Sequence, residues 1–103
     1  MNITLKDDFT NSSYYVKPFG RIDVNTAIEF GTTVSNAVDD NDVKNLVIDF
    51  EEVPYISSMG LRVLLELQRK MNDLGSMKLK NVNQEVMDIF KMTGFDKILV
   101  FDN

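Results

Sequence analysis

The chain has 103 residues, of which 44% are hydrophobic and 26% charged, the make-up of one ordinary globular domain covering residues 1–103. It has no cysteine and no histidine, which excludes disulfides, thiol chemistry, Ser-His-Asp hydrolysis and zinc sites built from His and Cys. A formal net charge of −5 with no basic stripe argues against direct binding of nucleic acid and for a protein partner.

No apolar run is long enough to cross a bilayer. The first residues lack the basic and apolar regions of a signal peptide, so the expected location is the cytoplasm. No cofactor and no metal site is expected.

Ile3 and Leu5 alternate with polar residues and predict a short edge strand. Asn11-Ser12-Ser13 signals a turn. Residues 14–19, rich in aromatic and β-branched side chains, predict a second strand, so the first two elements form a hairpin. Pro18 cannot donate to a ladder, which argues for an edge position or a bulge there. Thr26 with Glu29 three residues later is a capping-box signature, Asn25 is the other candidate cap, and Asp23 ends the strand and helps cap the helix. Ala27, Phe30 or Gly31, Val34 and Val38 then share one face of a helix that extends to about Asp39.

Leu46-Val47-Ile48 predicts a strand buried on both faces, closed by Asp49. A loop fixed by Pro54 leads to Ser57-Ser58, just before a strongly periodic helix. Leu61, Leu64, Leu65, Met71 and Leu74 make its apolar stripe, with Arg62, Glu66, Arg69 and Lys70 outside. Gly75 is expected to stop it as a left-handed cap. Met77 and Leu79 alternate with lysines as another strand. Asn83 caps a third helix with Val86, Ile89 and Phe90, ending at Gly94. Residues 98–101 predict a last buried strand. The order β-β-α-β-α-β-α-β implies an α/β fold, a mostly parallel sheet with an antiparallel hairpin at its edge.

The most informative stretch is LVIDFEEVPYISSMGLRVLL, residues 46–65. It puts a Ser-Ser pair at the start of a helix, where unpaired N–H groups and the positive end of the dipole suit a phosphate. Serine is also among the best helix caps, so a plain capping role stands beside the phosphoacceptor role. Gly60, with no Cβ, is expected to leave the first turn open to another protein.

At Ser57-Ser58-Met59-Gly60-Leu61 the sequence resembles the STAS family of anti-sigma-factor antagonists. Gly20-Arg21-Ile22-Asp23 with Asn25-Thr26-Ala27, the strand at residues 46–50, and residues 90–98 extend the resemblance over nearly the whole chain. It implies the STAS fold and a phosphoacceptor at Ser58, with Ser57 as the alternative. It also implies a partner-binding rim of Asp23, Asn25, Ser57, Met59, Gly60, Leu61 and Arg62. The family's mechanism is partner switching. The unphosphorylated antagonist binds an anti-sigma serine kinase and so frees a sigma factor; phosphorylation ends the complex, and a PP2C-type phosphatase reverses it. The resemblance makes the chain a substrate and binding module, not an enzyme.

This sequence has Ser57 where many members have aspartate, and Met59 where many have serine or alanine. It stops at Asn103, where the family usually continues into a helix. A monomer of lower stability or a weak dimer is the expectation that follows. Two other readings stand beside this one. One is a STAS scaffold or sensor module outside a sigma circuit. The other is a phospho-aspartate receiver, with Asp49 as acceptor and Asp7-Asp8 as its acidic pair.

Overall fold

The computed structural model describes residues 1–8 and 12–102. Strands β1 (Asn2–Asp8) and β2 (Ser13–Phe19) pair antiparallel, with Ile3 opposite Pro18 and Leu5 opposite Val16. Asn11 of the predicted turn lies outside the described residues, while Ser12 takes a left-handed φ of 52° on entering β2. Strand β3 (Asn45–Asp49) pairs parallel with β2, and β4 (Ser76–Lys80) parallel with β3, so sheet order follows chain order. The β2–β3 pairing ends at Val16 opposite Ile48. Pro18 therefore sits past it, at a local edge where its missing N–H costs no ladder bond.

Helix α1 (Ala27–Asp40) connects β2 to β3, and α2 (Ser58–Leu74) connects β3 to β4. Helix α3 (Gln84–Thr93) and a 3-10 turn at Phe95–Lys97 follow. Tyr14, Val16, Leu46, Ile48, Met77 and Leu79 line one side of the sheet, all buried, as alternation along each strand requires. They join one cluster with Phe30, Val34, Leu64, Met71 and Phe90 from the helices. The Phe90 ring lies 6.3 Å from Phe50 and 5.6 Å from Phe101. The opposite side of the sheet is polar, with Tyr15, Lys17, Lys78 and Lys80 around Val47. Val47 is still only 5% exposed but stays outside that cluster.

Three expectations are corrected. The buried arc of α2 includes Val63 and Leu67, whereas Leu65 is half-buried and Leu74 is exposed. The arc is wide because α1 presses on α2 as well as the sheet does: a Cβ on Gly31 would lie 2.8 Å from Val63 Cγ1. Gly75 is not left-handed; its φ is 166°. Glycine is needed there because the Lys44 carbonyl oxygen lies 1.9 Å from where a Cβ would stand.

The last predicted strand is reduced to a single parallel bridge, Leu79 to Phe101. Gly94 turns the chain at φ 79°, and the N–H groups of Ile98 and Leu99 both donate to the Phe95 carbonyl, at 3.0 and 2.9 Å. Those two residues have no N–H left for a ladder. Only the next stretch reaches β4, where Leu79 donates to Val100 (2.9 Å) and accepts from Asp102 (2.8 Å).

Candidate functional site

The C-terminal ends of β2 and β3 continue past the sheet as two segments that pair with each other. Gly20 N–H donates to Glu52 O at 2.9 Å, Ile22 N–H to Tyr55 O at 3.0 Å, and Ser57 N–H to Ile22 O at 2.8 Å. Ile22 and Ile56 form a parallel bridge and are both buried. The turn that allows this needs φ 103° at Gly20, a value that favours glycine. The Arg21 guanidinium stacks on the Tyr55 ring at 4.3 Å and closes the outside of the pair. Asp23 and Ser57, far apart in sequence, thereby lie on one rim.

Asp23 starts α1. Its Oδ1 accepts from the N–H of Asn25 (2.9 Å) and of Thr26 (3.0 Å), and its carbonyl accepts from Ala27 N–H (2.9 Å). The caps predicted at Thr26 and Asn25 are therefore corrected, while Asp23 does help to cap the helix. Thr26 makes no side-chain cap; its hydroxyl donates to Arg21 O at 2.7 Å. Glu29 is engaged by the Met1 ammonium group, and Asn25 is a donor to Asp23. Those N–H bonds, Thr26 first and then Asn25, hold the Asp23 carboxyl below its ordinary pKa, helped by Arg21.

The two serines have different tasks. Ser57, half-buried, is the cap of α2: its Oγ accepts from Gly60 N–H at 3.2 Å. Ser58 is the first helical residue, is exposed, and its hydroxyl makes no hydrogen bond among the described residues. Gly60 is buried, and the expectation of an outwardly open backbone is corrected. A Cβ there would lie 2.6 Å from Ile56 Cγ1 and 2.9 Å from Ile22 Cγ2. Its bareness lets the first turn of α2 sit directly on the paired segments. Leu61 is buried too, Met59 half-buried, and Arg62 exposed.

Two apolar side chains on this rim escape a reading of the sequence, Val24 and Ile28, 63% and 61% exposed. Ile28 with Met59 opens a groove of about 650 Å³ that descends between α1 and α2, with Gly31, Val63 and Leu67 along it. The available signal was that Ile28 falls outside the stripe of Ala27, Phe30, Val34 and Val38. Asp49 serves its own loop, accepting from Glu51 N–H (2.9 Å) and Asn81 Nδ2 (3.1 Å). Asp7 and Asp8 lie at the other end of the sheet, because Asp8 pairs with Ser13 and Ser13 with Asn45, the start of β3. Among the described residues no acidic pocket of the receiver type joins them to Asp49.

A two-layer α/β fold with a hairpin edge, and a serine pair opening the helix after its central strand, define the class of domain. The chain belongs to the STAS domain family, whose sequence pattern matches residues 5–103. The fold is also that of solved structures of low sequence identity. A candidate anti-sigma factor antagonist from Thermotoga maritima superposes with a TM-score of 0.87 at 17% identity, over 98% of this chain and 86% of that one. An anti-sigma factor antagonist from Mycobacterium paratuberculosis gives 0.81 at 24%, over 97% and 85%. The phosphorylated form of the Bacillus cell-fate determinant SpoIIAA gives 0.72 at 18%, over 99% and 92%.

Proposed function

We propose that the chain is an anti-sigma-factor antagonist that switches partners through Ser58. The observation that carries this reading is the division of labour between the serines. Ser57 Oγ is held in the cap, while Ser58 stands exposed beside it with a free hydroxyl. A phosphate on Ser58 adds charge at the surface without removing the bond that starts the helix. Around it, Asp23, Asn25, Met59 and Arg62 offer a docking rim, while Gly60 and Leu61 support it from below.

The unphosphorylated form binds a cognate anti-sigma serine kinase and frees a sigma factor. The kinase transfers the γ-phosphoryl group of ATP to Ser58 Oγ; ADP leaves, and the hydroxyl proton is released. The complex then separates by charge repulsion and by the cost of desolvating the phosphate. A PP2C-type phosphatase hydrolyses the ester and restores the binding form. The chain acts as substrate and binding module in a bacterial cytoplasm, not as an enzyme.

Incubation with ATP and the host's candidate anti-sigma kinases, followed by intact-mass measurement and peptide mapping, tests the reading. One phosphate on Ser58 is the expected result. Phosphate on Ser57 instead overturns the assignment of the acceptor. No phosphate on either serine leaves a STAS binding module outside a sigma circuit. Ser58→Asp is expected to weaken kinase binding at least tenfold, a loss of about 1.4 kcal/mol. Ser58→Ala is expected to bind but to resist release by ATP. Equal affinity of the wild type and Ser58→Asp in a calorimetric titration contradicts the switch.

A further inference from the structure

The charged side chains along the α1–α2 groove are unevenly engaged. Its lining includes two cations, Arg62 and Lys70. Lys70 is fixed: its Nζ lies 2.7 Å from Asp39 Oδ1 and donates to Ser35 Oγ at 2.9 Å, with the side chain 27% exposed. Arg62 is 73% exposed, and its contact is a single Nε to Glu66 Oε1 separation of 3.5 Å. That is longer than a good hydrogen bond, and so exposed a pair is held only weakly. The α1 wall of the groove, with Ile28, Thr32, Ser35 and Asn36, carries no charge. Ser58, Arg62 and Glu66 recur at every fourth residue, so they stand in one row on the outer face of α2.

We infer that Arg62 is the intramolecular counter-charge of a phosphate on Ser58, and that its transfer from Glu66 to the phosphate carries the switch two turns along α2 into the groove. The inference rests on Ser58 as the phosphoacceptor. A phosphoserine brings roughly −1.5 to −2 charges, against −1 on Glu66, and a guanidinium holds a phosphate through two parallel N–H donors. Arg62 is within one turn of either group, so it moves to the stronger one. Glu66 then loses this partner on the groove wall. The neighbouring charges do not replace Arg62 at the phosphate, because Lys70 is held by Asp39 and Arg21 lies on the Tyr55 ring. A partner seated on the rim thus meets a new dianion at Ser58 and, below it, a carboxylate where an ion pair stood.

The test places phosphoserine at position 58 during synthesis, so that no kinase is needed and the result is separate from whether a kinase modifies Ser58 in the cell. Phosphorus NMR then follows the phosphate through its second ionisation. Arg62→Gln is expected to raise that second pKa by about 0.3, the size of an exposed pair one helical turn apart. Glu66→Gln is expected to lower it, since Arg62 then has no competing acid. Arg69→Gln, elsewhere on α2, is expected to leave it unmoved. An identical pKa in the parent and in Arg62→Gln overturns the inference. So does a rise of equal size in Arg69→Gln, which would reflect net charge and not a contact.

Discussion

Asp23 receives two backbone N–H bonds at the start of α1, so folding favours its ionised form. The sign of its effect on stability follows. A carboxyl with a lowered folded pKa contributes its stabilisation above the unfolded value, near pH 4, and loses it as pH falls through the lower folded value. Asp23→Asn is therefore expected to reduce stability at neutral pH and to cost less as acid protonates the carboxyl. Urea unfolding at pH 7 and pH 2.5 checks this. An equal loss at both pH values would mean that geometry alone, and not ionisation, matters there. At the same scale, Ser57 and Ser58 read alike in the sequence. Their neighbours do not treat them alike, because Gly60 N–H reaches back to Ser57 and leaves Ser58 outside.

Among the elements, α2 is the one on which site and core meet. Its first turn rests on Ile22 and Ile56 through Gly60. Gly60→Ala gains about 1 kcal/mol of helix propensity. Against that, the new methyl group must displace two buried isoleucines and faces the Ile22 carbonyl oxygen at 3.2 Å. Overpacking of this kind costs about 1–3 kcal/mol. The clash is expected to win, with a net loss of about 1 kcal/mol, because one of the obstructing atoms is backbone and cannot rotate away. Chemical denaturation measures it. A stabilised Gly60→Ala would show that the rim yields easily, and the argument for a rigid seat under Ser58 would fail.

Over the whole molecule, protection is uneven. Strand β3 has partners on both sides, and Leu46, Val47 and Ile48 are all 5% exposed or less. The segment after α3 pairs with the sheet through one bridge and, although Leu99 is buried, leaves Ile98 and Val100 44% and 56% exposed. Native-state hydrogen exchange is expected to be slowest in β3 and in the strands on either side of it. It is expected to be faster at residues 98–102 by several orders of magnitude. Equal protection in the two regions would mean that the last segment belongs to the cooperative core.

By itself the sequence determined the α/β class, the hairpin, all three helices, a serine cap somewhere in Ser57-Ser58, the cap at Asn83, and the stretch that holds the candidate site. Those features rest on local periodicity, on turn residues and on short-range hydrogen bonds, all of which lie within a few neighbouring positions. The tertiary structure decided what depends on distant partners. Gly60 faces Ile22 and Ile56, and Gly75 faces Lys44. The last strand shrinks to a bridge because Phe95 takes two of its N–H groups. The groove between α1 and α2 exists only where Gly31 lets Val63 approach, a contact between residues 32 positions apart that no local pattern records.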